Sequence, residues 1–256
     1  MIRLAVLGSP IKHSLSPVIH DAAYRYLGVP AQYEKFDVTE DGFKAFISDH
    51  QADKWRGFSL TMPLKEIGLE VAKEVDSRAL QAGAINTLVS DGANWRGVNT
   101  DVSGFMGLFQ SLKFDRVSIL GAGGTSRAAL VALSAFQVKI RVFRRNKMRD
   151  AGLLTANRNI EIVDWEGLTS SIESDLLINC TPSGALDEIS LHFGQIQAAI
   201  DSLYSPWPPP IMQLVSAKTF FSGKDLLVSQ ALEQISLFAD MQFDRDAMFE
   251  RLRSLI

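Results

Sequence analysis

The strongest chemical signal in the chain is a lysine at the end of a strand-like run. GFSLTMPLK places Lys65 four residues after Thr61 and two after Pro63, a setting in which a lysine can carry a proton rather than act as a surface charge. Further along, NTD supplies Asn99, Thr100 and Asp101. A lysine beside a carboxylate can exchange a proton with a reacting hydroxyl, while the carboxylate fixes its position and charge state. Alcohol oxidation needs such a pair, because hydride leaves to a nicotinamide while the hydroxyl proton leaves to a base. Asn86 in GAINTL and Asn99 are neutral polar groups able to hydrogen-bond ring hydroxyls. In SLSP, Ser16 reads as an N-cap with Pro17 at the first helical position. The hydroxyls of Ser14 and Ser16 then sit near the positive end of a helix, a place that suits a carboxylate.

A glycine-rich turn offers the second chemistry. An apolar strand ends at Leu120, glycines follow at Gly121, Gly123 and Gly124, and a helix is expected from about Thr125. Such a turn lets backbone approach a pyrophosphate and aims free helix-terminal amides at it. Ser126 stands at the third position of the GxGxxG pattern, so the strand and helix around the turn carry the assignment. After the next strand, where an NAD site usually carries an acid, the chain reads FRRNKMR. Arg144, Arg145 and Arg149 favour a 2′-phosphate, because a guanidinium fork pairs bidentately with phosphate oxygens, and NADP is the expected cofactor.

The elements that must position these groups alternate along the chain. Strand-like Ile2–Leu7, AQYEKFDV and GFSLT are separated by helix-like SLSPVIHDAAYRYLG and DGFKAFISDH, and LKEIGLEVAKEV reads as a further helix. AINTLVS and NWRGVN, joined by DGA, read as a hairpin, and VSGFMGLFQSL as a helix leading out of a first domain. From Val117 the strand–helix alternation restarts, as a nucleotide-binding domain requires. LLVSQALEQISLFA and DRDAMFERLRSLI read as helices that return to the first domain. The expected fold is α/β with two domains: residues 1–101 with 226–256 for substrate, and residues 102–225 as a Rossmann-type domain for NADP. PWPPP, from Pro206 to Pro210, reads as a rigid loop.

Composition narrows the partners. The 256 residues are 46% hydrophobic, enough for a core in each of two domains. A net charge of −3 with scattered acids and bases leaves no footprint for nucleic acid or an anionic membrane, so a small-molecule partner is expected. No stretch reads as a signal peptide or membrane span. The single cysteine, Cys180, fits a reducing cytoplasm and excludes both a disulfide framework and a cysteine-built zinc site, and no metal is expected.

The strings GSPIKHSLSPVIHDAA, SLTMPLK, GAINTL, GVNTD, GAGGTSRA, INCTPSG, DSLYSP and LLVSQA, in this order over nearly the whole chain, resemble the shikimate dehydrogenase family. The resemblance implies an NADP-dependent, reversible reduction of 3-dehydroshikimate to shikimate, a step of aromatic amino-acid biosynthesis. It also implies a cleft flanked by a substrate domain and a Rossmann domain, in a monomer or homodimer. By position, Ser14 and Ser16 would hold the substrate carboxylate, with Tyr204 nearby. Thr61, Lys65, Asn86, Asp101 and Gln230 would surround the ring hydroxyls, with Lys65 as acid/base group and Asp101 orienting it. Gly121, Ala122, Gly123 and Gly124 would line the pyrophosphate, and Arg145 with Arg149 would clamp the 2′-phosphate. Asn179 and Thr181 would lie on the loop approaching the cofactor, and Gly223 before the segment closing over it. The chain departs from the family pattern at Asp21 and Ser59, each usually asparagine, at Arg144-Arg145-Asn146, usually Asn-Arg-Thr, and at Leu226, usually methionine. A quinate or dual quinate/shikimate dehydrogenase, and a non-catalytic NADP or shikimate sensor, are the competing readings.

Overall fold

The alternation of strand and helix resolves, in the computed structural model, into two six-stranded sheets. The structure describes residues 1–168, 173–187, 193–205, 207–209 and 211–256, so Pro206 and Pro210 of PWPPP lie outside it. The chain divides into two compact units, Met1–Gly104 with Leu227–Ile256 and Phe105–Leu226. Among the described residues no helix is long and apolar enough to cross a membrane.

The first unit contains β1 (Ile2–Gly8), α1 (Ser16–Leu27), β2 (Ala31–Asp37), α2 (Glu40–Asp49), β3 (Gly57–Leu60), β4 (Glu74–Val75), α3 (Ser77–Ala82), β5 (Thr87–Ser90) and β6 (Trp95–Val98). Its sheet runs β2-β1-β3-β5-β6-β4, with β5 antiparallel to both neighbours and β5–β6 forming the expected hairpin. Successive residues of β1 point to opposite faces. Leu4 and Val6 accordingly join one core with Ile19, Tyr24, Ile235 and Leu252, and Ala5 and Leu7 another with Phe43, Trp55, Phe58 and Leu64.

Two local expectations are corrected here. LKEIGLEVAKEV is not a helix: it forms one 3₁₀ turn, Ile67–Glu70, and then β4, which pairs with Arg96 and Gly97. Gly68 explains the break, since it presses on Leu60 and Ile85 so closely that a Cβ would lie 2.7 Å from Leu60 Cδ1. Ser16 is not an N-cap either; it is the first helical residue, and its amide donates to Ser14 Oγ at 3.3 Å. The helix ends at Gly28, whose φ of 68° and backbone bonds to the preceding turn form a left-handed cap.

Helix α4 (Thr100–Phe109) leads to the second unit's β7 (Arg116–Leu120), α5 (Gly124–Leu133), β8 (Lys139–Arg144), α6 (Asp150–Ala156), β9 (Glu161–Asp164), β10 (Leu176–Asn179), β11 (Phe193–Asp201), α7 (Ile211–Leu214) and β12 (Val215–Phe221). The strands are all parallel, in the order β12-β11-β10-β7-β8-β9. Counted from β7, this is the Rossmann order read from its far edge, with the switch point between β7 and β10. Helices α8 (Gly223–Ala239) and α9 (Arg245–Arg253) follow, and the division between units falls inside α4 and α8.

Candidate active site

Lys65 and Asp101 meet in the first unit. Lys65 Nζ donates to Asp101 Oδ2 at 2.6 Å, with the two side chains 22% and 8% exposed. The lysine is placed by the turn after β3, where its carbonyl accepts from the Ile85 amide. Asp101 lies in the first turn of α4, where the helix dipole favours a carboxylate. Asn99 caps that helix, its Oδ1 accepting from the Asp101 amide at 3.1 Å and its amide donating to the Ala84 carbonyl. This corrects the reading of Asn99 as a group for ring hydroxyls: it is buried, and both ends of its amide are engaged in holding the backbone.

Asn86 and Gln230 complete the arrangement around Asp101. Asn86 Nδ2 lies 2.9 Å from Asp101 Oδ1, 3.0 Å from Thr100 Oγ1 and 3.1 Å from Gln230 Oε1. Its Oδ1 accepts from the Thr100 amide at 2.7 Å and from the Thr87 hydroxyl at 2.9 Å. The helices α4 and α8 approach closely enough for this because residue 104 is glycine. A Cβ there would lie 2.9 Å from Gln230 Cβ and 3.0 Å from its backbone nitrogen, and Ser229 Oγ donates to the Gly104 carbonyl. Thr61 follows β3 directly, half-buried, with its methyl against Gly8.

Behind this cluster runs a buried polar chain that no sequence motif announced. Tyr33 donates to Ser59 Oγ at 2.6 Å, and Ser59 donates to Gln234 Oε1 at 2.9 Å. Gln234 Nε2 donates in turn to the Asn86 carbonyl at 3.2 Å and to Thr87 Oγ1 at 2.8 Å. His20 joins with Nε2 donating to Gln234 Oε1 and Nδ1 accepting from the Tyr24 hydroxyl, while its ring stacks on Tyr33 at 4.2 Å. Complete burial pushes the His20 pKa down to about 3, so the ring is neutral. Burial pushes the Tyr33 phenol well up, and hydrogen bonds to Ser59 and Ser16 draw it part of the way back. Ser16 is buried and Ser14 half-buried at the start of α1, whose first-turn amides have no acceptor within the helix. The signal for this chain was the spacing of Gln230 and Gln234, one turn apart on an otherwise apolar helix face.

In the second unit, the glycine turn is built for close approach. Gly121 adopts φ 106° and packs on the β10 loop, where a Cβ would lie 3.0 Å from the Cys180 carbonyl oxygen. Gly123 precedes α5 and faces open space, and Ala122 and Gly124 flank it half-buried. The residues present fit a pyrophosphate: beside the open Gly123 and the helix-terminal amides, Ser126 Oγ is buried with no hydrogen-bond partner among the described residues. Asn179 is fully buried, its amide donating to Asp201 and its Oδ1 accepting from the Thr181 amide and hydroxyl. Its side chain therefore shapes the loop, leaving backbone as the surface it can offer. Gly223 lets α8 start against Leu203, whose carbonyl carbon would lie 2.5 Å from a Cβ. Tyr204 is in this unit, half-buried, and burial pushes its phenol up.

The arginines divide. Arg145 is exposed, lies over the Trp165 ring at 4.7 Å and donates to the Ala185 carbonyl at 2.7 Å; Arg149 is also exposed. Arg144 is buried: its Nε and Nη2 grip Asp150 at 2.6 and 3.0 Å, and Nη1 donates to Asp164. The expectation of three phosphate-reading arginines with no acid nearby is corrected, because folding brings two aspartates onto Arg144.

Comparison with known proteins finds relatives over nearly the whole chain. A family model of the shikimate dehydrogenase substrate binding domain matches residues 6–88. The NADP(+) shikimate dehydrogenase of Staphylococcus aureus strain bovine RF122 / ET3-1 is 32% identical over 262 residues, covering 96% of each chain. The crystal structure of Mycobacterium tuberculosis shikimate dehydrogenase superposes with a TM-score of 0.87 at 30% identity, over 99% of this chain and 100% of that one. The Thermus thermophilus shikimate 5-dehydrogenase, solved in complex with NADP(H) and shikimate, gives 0.84 at 29% identity over 100% of both.

Proposed function

The chain belongs to the shikimate dehydrogenase family, and we propose that it catalyses the NADP-dependent, reversible reduction of 3-dehydroshikimate to shikimate, a step of aromatic amino-acid biosynthesis. The observation that carries this reading is the ion pair of Lys65 and Asp101, held by Asn86, whose side chain is in turn held by Thr100 and Gln230. A pure binding protein has no need of a proton carrier fixed in this way.

Bound NADPH supplies the hydride that reduces the carbonyl carbon. Lys65 gives its proton to the C3 carbonyl oxygen and, in the reverse direction, takes the hydroxyl proton back. Asp101 accepts one of the ammonium hydrogens through Oδ2, which aims the remaining two and keeps Lys65 from rotating away. Ser14 and Ser16 bind the carboxylate, and Thr61, Asn86 and Gln230 orient the ring hydroxyls. Gly121, Ala122, Gly123 and Gly124 with the first turn of α5 hold the pyrophosphate. The β10 loop, shaped by Asn179 and Thr181, and the backbone at Gly223 border the cofactor. Arg145 and Arg149 bind the 2′-phosphate.

The test offers shikimate or quinate with NADP or NAD to the purified protein and follows absorbance of the reduced nicotinamide. Turnover with shikimate and NADP is expected. Preference for quinate or NAD would overturn the specificity, and silence in all four combinations would overturn the reaction.

A further inference from the structure

Arg144 sits at the end of β8, where its register partner on β9 is Asp164. Its side chain is 7% exposed, and three guanidinium nitrogens face Asp150 and Asp164. Lys147 Nζ lies 3.6 Å from the second oxygen of Asp164. The hydrogen bonds from Arg144 hold both aspartates below the usual carboxylate range, so both are anions at neutral pH. Two cations and two anions thus make a cluster with no net charge.

The aspartates stand next to the residues that read phosphate in the function proposed above. Asp150 follows Arg149 in sequence, and Asp164 precedes Trp165, the ring beneath Arg145. Arg145 has, among the described residues, a neutral carbonyl and an aromatic ring as partners rather than a carboxylate. A dianionic 2′-phosphate brought to Arg145 would be repelled by any uncompensated aspartate nearby, and the repulsion is only partly screened at such a site.

We propose that Arg144 sets cofactor preference without binding the cofactor, by neutralising Asp150 and Asp164 so that the 2′-phosphate meets Arg145 and Arg149 unopposed. Arg144 is therefore a positioning and charge-masking residue. The inference rests on the NADP reading, and the experiment separates the two.

Calorimetric titration with 2′,5′-ADP, and with 5′-AMP as the analogue lacking the 2′-phosphate, reads binding without turnover. Wild-type protein that binds 2′,5′-ADP no tighter than 5′-AMP would overturn the NADP reading itself. Arg144→Gln is expected to weaken 2′,5′-ADP about tenfold, the scale of an unmasked charge at a partly screened site, with 5′-AMP nearly unchanged. The triple variant Arg144→Gln, Asp150→Asn, Asp164→Asn removes the mask together with what it masks. It should bind 2′,5′-ADP within about threefold of wild type, because the cluster's aspartates no longer carry charge. If the single variant does not fold, Arg144→Gln with Asp164→Asn, which unmasks Asp150 alone, takes its place and should weaken 2′,5′-ADP in the same direction, unchanged binding overturning the mask. A triple variant that binds weakly would show that Arg144 itself contacts the phosphate, and a single variant indistinguishable from wild type would show that the aspartates need no mask.

Discussion

Gln234 holds the backbone carbonyl of Asn86 with its side-chain amide at 3.2 Å, one helical turn from the Gln230 that takes the Asn86 side-chain amide at 3.1 Å. One face of α8 therefore fixes both the backbone and the side chain of a residue that touches Asp101. The other end of the Gln234 amide gathers Ser59 and His20, so α1, β3, β5 and α8 share one polar junction.

Replacing Gln234 by leucine leaves the Ser59 hydroxyl and the His20 Nε2–H buried without an acceptor. Stability should fall by about 2–4 kcal/mol, the cost of stranding two buried donors. Urea denaturation reads this directly, and a loss under about 0.5 kcal/mol, the range of inconsequential substitutions, would remove Gln234 from the core of the account.

The neutral His20 has a signature in pH. Its pKa is about 3 in the fold against 6.5 in an ordinary histidine. The unfolded chain therefore binds a proton as pH falls through 6.5 while the native state does not. The stabilisation from this group is intact above pH 6.5 and declines by about 1.4 kcal/mol per unit below it, until the native ring protonates near pH 3. In NMR spectra the His20 ring resonances should stay unchanged from pH 8 to 5; a midpoint near 6.5 would contradict the buried, hydrogen-bonded ring.

The two glycines of the β7–α5 turn should fail differently. Gly121 has φ 106°, and a Cβ there would lie 3.0 Å from the Cys180 carbonyl oxygen, so Gly121→Ala should lower stability by about 1–3 kcal/mol. Gly123 faces open space, so Gly123→Ala should leave the melting temperature nearly unchanged while placing a methyl where the cofactor's phosphates approach, weakening NADPH by roughly tenfold. Thermal melts and NADPH titrations on the same two proteins would separate the effects, and equal melting losses would contradict the assignment.

Local spacing made the Rossmann turn, the β5–β6 hairpin and Lys65 legible, since each rests on residues close together in the chain. The approach of Lys65 to Asp101 was legible only as a pairing of suitable chemistry, and its cage less so, because Asn86 and Gln230 lie 144 residues apart and meet through the close packing at Gly104. Asp164 on Arg144 was hidden for the same reason: strand register, not proximity in sequence, brings an acid to that arginine. The segment after Lys65 misled because its helical periodicity is overridden by the tight seat of Gly68 and by pairing of β4 with β6. The start of α1 lies one residue earlier than the capping pattern implies, with Leu15 in the N-cap place and Ser16 as the first helical residue, a shift that propensity alone does not resolve.

Lys65 as the proton carrier is put to the test by the turnover of Lys65→Ala beside its affinity for shikimate. The expected result is kcat lower by about two to four orders of magnitude, with shikimate still bound, as loss of acid/base help requires. Near-normal turnover in the variant would contradict the claim and leave the contact with Asp101 as a structural ion pair.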